Sequence, residues 1–169
     1  MNLLFKTFFL SVFIIVLSSF TLDNKADKKL RKDIENSFGI SDIEFLPVEN
    51  VDAPEGDNVY TVSDNNEIYG YAYLGQADSR SEKIDYSILF DKNSNIIKVN
   101  VIRYRENYGG EVGSKRWLKQ FIGKTNGEDM TFRNDISAIS GATISARSMT
   151  KSIGEASKLV SSLNADTNE

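Results

Sequence analysis

The chain has 169 residues, a formal net charge of −4, 40% hydrophobic and 26% charged residues, the size and balance of one globular domain and too apolar for intrinsic disorder. It contains neither cysteine nor histidine, which excludes disulfides, thiolate nucleophiles, iron–sulfur ligation, imidazole catalysis and the usual zinc and haem sites. Demanding chemistry is left to carboxylates, lysines, tyrosines, hydroxyls or an imported cofactor, and the mildly acidic balance argues against nucleic acid as a partner.

Residues 1–22 form the first element. Lys6 precedes an apolar run at 8–17 interrupted only by Ser11, and Ser18 and Ser19 follow it, the pattern of an export signal peptide. The same length suits a retained membrane anchor. The basic cluster Lys25, Lys28, Lys29, Arg31 and Lys32 opposes an outward-facing anchor, but Asp23, Asp27, Asp33 and Glu35 interleave it, the composition of a solvated helix face. The expected location is therefore exported, either periplasmic or anchored to the outer face of the inner membrane. Residues 23–42 read as a linker and N-terminal helix, with Leu30, Ile34 and Phe38 four residues apart and Gly39 as the stop. So thin a stripe suits a helix on the outside of a sheet.

Short β-like runs follow at 43–48, 59–62 and 68–74. The third places Tyr69, Tyr71 and Tyr73 on one face by strict alternation. Residues 86–90 and 96–104 flank the turn formers Asp91, Lys92, Asn93, Ser94 and Asn95, a hairpin. In its second strand Ile97, Val99 and Val101 alternate with Lys98, Asn100 and Ile102, which predicts one buried face. After Gly109-Gly110, residues 115–122 carry Trp117, Leu118, Phe121 and Ile122 at helical spacing, closed by Gly123. A last helix is predicted over 144–163, with Met149, Ile153, Ala156, Val160 and Leu163 on one stripe. The fold class is α+β: an antiparallel sheet with flanking helices in a single domain, without internal repeats.

The stretch with most chemical content is Ser140-Gly141-Ala142-Thr143, a small-residue loop opening directly into the last helix. Free N–H groups and the positive dipole end of a helix start attract a phosphate. Gly141 permits close approach of the backbone. Thr143 and Ser145 add hydroxyls, and Arg147 offers a charge-assisted contact. An ordinary Ser/Thr cap would look similar.

The motif resembles the S/T-G-A-T flavinylation signal of the FMN-binding domain family, found in the C subunit of the sodium-pumping NADH:quinone oxidoreductase and the G subunit of the Rnf complex. The resemblance implies FMN held by a phosphoester bond to Thr143, attached by a dedicated flavin transferase that needs magnesium and FAD. The run Tyr104-Arg105-Glu106-Asn107-Tyr108-Gly109-Gly110-Glu111-Val112, with Trp117, Gln120-Phe121 and Gly123-Lys124, is similar to a block of small stand-alone members. The resemblance spans residues 60–163 and assigns an FMN-binding domain to 43–164. Two features depart from the pattern. The Glu-Thr-Pro-Gly-Leu-Gly run of the large complexes is missing, and Ser137 stands six residues before the acceptor, where the family has Asp, with Asp135 two residues earlier.

By this resemblance the cofactor-binding residues are Thr143, Ser140, Gly141, Ala142 and Ser145, joined by Tyr108, Glu106 and Trp117. No catalytic residue and no metal ligand is assigned. Trp117 and Tyr108 are candidates to pack on the flavin ring, Trp117 being equally readable as core. Glu106 or Glu111 is a candidate to bond ring nitrogens or the ribityl chain, and Lys124 either neutralises phosphate or follows a helix stop. The implied function is an exported FMN carrier relaying electrons between membrane or extracytoplasmic redox proteins. An extracytoplasmic flavin-dependent reductase is the alternative enzyme reading, although no G-x-G-x-x-G dinucleotide fingerprint is present. A cofactor-free binding module of the same fold is the third.

Overall fold

The computed structural model describes residues 24–167 apart from residue 66, with side chains from 28 to 164; the signal or anchor at 1–22 lies outside the described residues. Among those residues no helix is long and apolar enough to cross a membrane. Helix α1 (Asn24–Phe38) buries Leu30 and Ile34, four residues apart on one face, and ends at Gly39. Five strands follow: β1 (Glu44–Pro47), β2 (Asn58–Asp64), β3 (Glu67–Asp78), β4 (Lys83–Asp91) and β5 (Ile96–Arg103). They pair antiparallel in chain order, each strand beside the next. The β4–β5 turn is closed by the Asp91 carboxylate, which accepts the N–H groups of Asn93 at 2.9 Å and Asn95 at 2.8 Å.

Beyond the sheet, a 3-10 turn (Gly110–Gly113) leads into α2 (Lys115–Leu118), whose chain continues as 3-10 through Phe121. The long helix α3 (Thr143–Thr167) packs across β3. Its stripe of Met149, Ile153, Ala156 and Val160 meets Tyr73, Tyr86, Ile88 and Phe90 in the larger core. Fully burying side chains of this size contributes on the order of 1.5–3 kcal/mol each. The opposite face of the sheet carries a smaller core of Val62, Ala72, Leu74 and Leu89 under Leu30 and Ile34 of α1. The Asp33 carboxylate ties α1 down, accepting Lys98 Nζ at 2.6 Å and Asn100 Nδ2 at 2.9 Å.

Two alternation readings are corrected here. Both faces of β5 are covered, and three β-bulges break the period of two. Val62 pairs with Gly70 but Ser63 pairs with Ile68, which leaves Tyr69 unopposed. Tyr69 therefore packs edge-on to Phe38 beneath α1, while Tyr71 and Tyr73 enter the α3 core. Ile97 is likewise left between the partners of Leu89 and Phe90, and joins the α1 face instead of following Val99 and Val101. The third bulge leaves Ile102 between the partners of Asp85 and Tyr86. Asn100 faces α1, and unbroken alternation would send Tyr104 there too. The extra residue instead turns Tyr104 to the α3 side.

Candidate functional site

The start of α3 is set by the small-residue run before it. Gly141 has φ +80 and no atom within 4 Å of where a side chain would begin, so the backbone there is both left-handed and open. Ala142 donates its N–H to Ile139 O at 3.1 Å and accepts the first intrahelical bond from Ala146 at 2.9 Å. The N–H groups of Thr143, Ile144 and Ser145 precede that bond and have no intrahelical acceptor. No acidic side chain sits in this first turn to neutralise the dipole. Ser140 is exposed, Thr143 half-buried, and Ala142 and Ser145 are buried.

The loop after β5 packs directly on this turn. Gly109 has φ +86, and a Cβ there would lie 2.6 Å from Tyr104 Oη and 3.5 Å from both Ala142 Cβ and Ser145 Oγ. Only glycine meets both the conformation and the space. Tyr104 Oη donates to Tyr108 O at 2.5 Å and lies 3.2 Å from Ser145 Oγ, which is itself 2.8 Å from Ser79 Oγ in the β3–β4 turn. Two segments distant in sequence, the loop after β5 and the β3–β4 turn, thus converge on Ser145. Tyr108, with its carbonyl held and Gly109 next to it against the helix start, is 85% exposed.

Glu106 is placed differently from a free ligand. Its Oε1 accepts the N–H of Ser81 at 2.8 Å and of Glu82 at 3.2 Å. These bonds, Ser81's above all, hold its carboxyl below the ordinary value. Arg105 grips β4 alongside, with Nη1 on Lys83 O at 2.7 Å and Nη2 on Asp85 Oδ2 at 2.5 Å. The Tyr104-Arg105-Glu106 run therefore binds the loop to the β3–β4 turn.

Trp117 lies in the core, edge-on to Phe121 at 5.3 Å, and donates its indole N–H to Ser137 O at 2.7 Å. Gln120 Oε1 accepts the N–H of Ser137 at 2.9 Å. Asp135 is engaged within its own loop, accepting Thr131 N–H at 2.9 Å and Asn134 Nδ2 at 2.8 Å. Arg147 and Arg133 both lie over the Phe132 ring, at 5.6 and 5.7 Å. Glu111 is exposed on the 3-10 turn. Lys124 is not at the site: its backbone pairs with Ile96 at the opposite end of β5 from Tyr104, about 25 Å away at the rise of a strand. It cannot neutralise a phosphate at Thr143.

Ser79 and Gln120 enter as site residues that sequence reasoning did not single out for these roles. Ser79 lies 66 positions from its partner, and one serine in a polar turn carries no local signal. These features test well against a phosphorylated flavin: open N–H donors, a Cβ-free approach at Gly141, a half-buried hydroxyl at Thr143 and an exposed aromatic at Tyr108. The family model described as the FMN-binding domain matches residues 79–158, beginning at Ser79 and running through most of α3. No curated protein matches the chain.

Proposed function

On the premise that the chain carries an FMN-binding domain at residues 79–158, we propose that it is an exported electron carrier with FMN joined through its phosphate to Thr143 Oγ. The observation carrying this reading is the Thr143 hydroxyl at a helix start whose N–H groups are open and uncompensated by acid. Thr143, Ile144 and Ser145 N–H would face the phosphate, with Ser140 adding a hydroxyl and Gly141 leaving room. Ser145 is fixed by Tyr104 and Ser79 and so holds the turn in shape. Tyr108 is the side chain available to cover a ring, while Glu106 and Trp117 act on the loops that frame the site.

Attachment by a flavin transferase balances as phosphoryl transfer from FAD. The Thr143 oxygen forms a bond to the FMN phosphorus, the pyrophosphate linkage breaks, AMP leaves and the hydroxyl proton is released. FMN, once bound, supplies a ring that takes one or two electrons, which this chain's own side chains do not. A covalent tether also prevents loss of the cofactor by diffusion outside the cytoplasm. Redox partners in the membrane or the extracytoplasmic space would donate and accept the electrons.

Co-expression with a flavin transferase, followed by denaturing electrophoresis under ultraviolet light, tests the assignment. The wild-type band is expected to fluoresce and Thr143→Ala to be dark, with its thermal unfolding unchanged. A dark wild-type band without added mass overturns covalent attachment. NADH oxidation by the purified flavoprotein alone would favour the reductase.

A further inference from the structure

The five residues between Ile136 and Ala142 run over the surface, Ile139 alone half-buried, while their two neighbours are buried in the core. A loop of this kind has many conformations unless its backbone is held. Here both polar groups of one peptide position are taken by side chains of one short helical segment. Trp117 Nε1–H donates to Ser137 O at 2.7 Å, and Gln120 Oε1 accepts from Ser137 N at 2.9 Å.

The two grips are themselves fixed. Trp117 is buried against Phe121, and Gln120 Nε2 donates to Trp117 O at 3.0 Å, which orients the amide with its oxygen towards Ser137. The donor and acceptor match leaves no freedom to reverse the amide. We propose that Trp117 and Gln120 are positioning residues for flavin loading: by clamping Ser137 they set the path of the loop that presents Thr143 to the modifying transferase. Neither residue touches the acceptor hydroxyl. The inference rests on Thr143 being the acceptor.

A clamp that selects the competent loop raises the fraction of chains able to dock. Its loss raises the apparent KM by the inverse of that fraction and leaves kcat unchanged. At about 0.5–1.5 kcal/mol net per hydrogen bond, each loss corresponds to a roughly 2- to 12-fold rise.

The test measures transfer kinetics on the full chain with a flavin transferase, FAD and magnesium, varying the acceptor protein. Trp117→Phe keeps an aromatic core and loses the N–H. Gln120→Met loses the acceptor at a less buried position. Both are expected to raise KM several-fold with kcat within twofold of wild type. Ile153→Val, in the α3 core and about 15 Å along the helix from Thr143 at the rise of an α-helix, is expected to lower the melting temperature and leave KM unchanged. Wild-type KM in both clamp variants overturns the proposal, as does an equal rise in Ile153→Val. An unlabelled wild type removes the acceptor reading itself, and this inference with it.

Discussion

The two ends of α3 use the same kinds of side chain to opposite effect. At the C-terminal end Asn164 is saturated: its Oδ1 accepts Tyr71 Oη at 2.9 Å, and its Nδ2 donates to Lys92 O at 2.8 Å and Ser94 Oγ at 2.6 Å. Ser161 Oγ accepts Asn126 N–H at 3.1 Å, and Thr125 Oγ1 donates to Ser94 O at 3.0 Å. Hydroxyls and amides there fasten the helix to the β4–β5 turn and the following loop. At the N-terminal end Ser145 is fastened in the same way to Tyr104 and Ser79, but the N–H groups around Thr143 stay open and Gly141 is unobstructed. Serine, threonine and asparagine make a structural lock where their partners are supplied, and leave a turn that can attract an anion where the backbone donors beside them are not.

That contrast can be broken most severely at Gly109. Gly109→Ala places a side chain in a left-handed conformation against Tyr104 Oη, expected to cost about 2–3 kcal/mol. If Thr143 is the acceptor, flavin loading should fall with it, because the loop is pushed off the turn that carries Thr143. Chemical denaturation and gel fluorescence on the same samples check both effects, and unchanged loading would separate Gly109 from the site.

Asn164→Leu probes the other end. Losing the hydrogen bonds to Tyr71, Lys92 and Ser94 in a partly exposed setting is expected to cost about 1–2 kcal/mol, with loading of the folded protein unchanged. A loss of loading comparable to that of Gly109→Ala would show that the two ends do not work separately.

The smallest effect is expected at Glu106. Its carboxyl is held below the ordinary value of 4.5, chiefly by the Ser81 N–H. A group depressed in the folded state adds stability that is full above its unfolded pKa and lost as pH falls through the folded one. Denaturation midpoints of wild type and Glu106→Gln should therefore differ at pH 7 and converge at an acid pH below the folded value. Equal midpoints at both values would mean that the Glu106 link to the β3–β4 turn carries no stability.

The helices were legible because their information is local. Leu30, Ile34 and Gly39 marked α1, and the stripe from Met149 to Leu163 marked α3, since a period near four residues requires no knowledge of a partner. The hairpin at Asp91–Asn95 was legible for the same reason, its turn chemistry lying within five residues. Strand faces were not. Tyr69 and Ile97 left their expected faces at bulges, and a bulge is defined by the register of the neighbouring strand. From its spacing alone Trp117 reads equally as core or as a ring partner; its burial and its bond to Ser137 depend on a loop 20 residues away.

The Ser140-Gly141-Ala142-Thr143 run is legible as a small-residue helix start, because that chemistry is written in consecutive residues, while its reading as a flavin site rests on the resemblance to a family motif and not on the local pattern. The absence of thiol and imidazole likewise follows from composition alone, and leaves an imported cofactor among the few sources of demanding chemistry. Tertiary structure decided what surrounds Thr143. The bulge at Ile102 turned Tyr104 towards α3, Gly109 met the first helical turn, and Ser79 arrived from the β3–β4 turn. Contacts between residues 33 to 66 positions apart depend on strand register and helix packing, which no local pattern encodes.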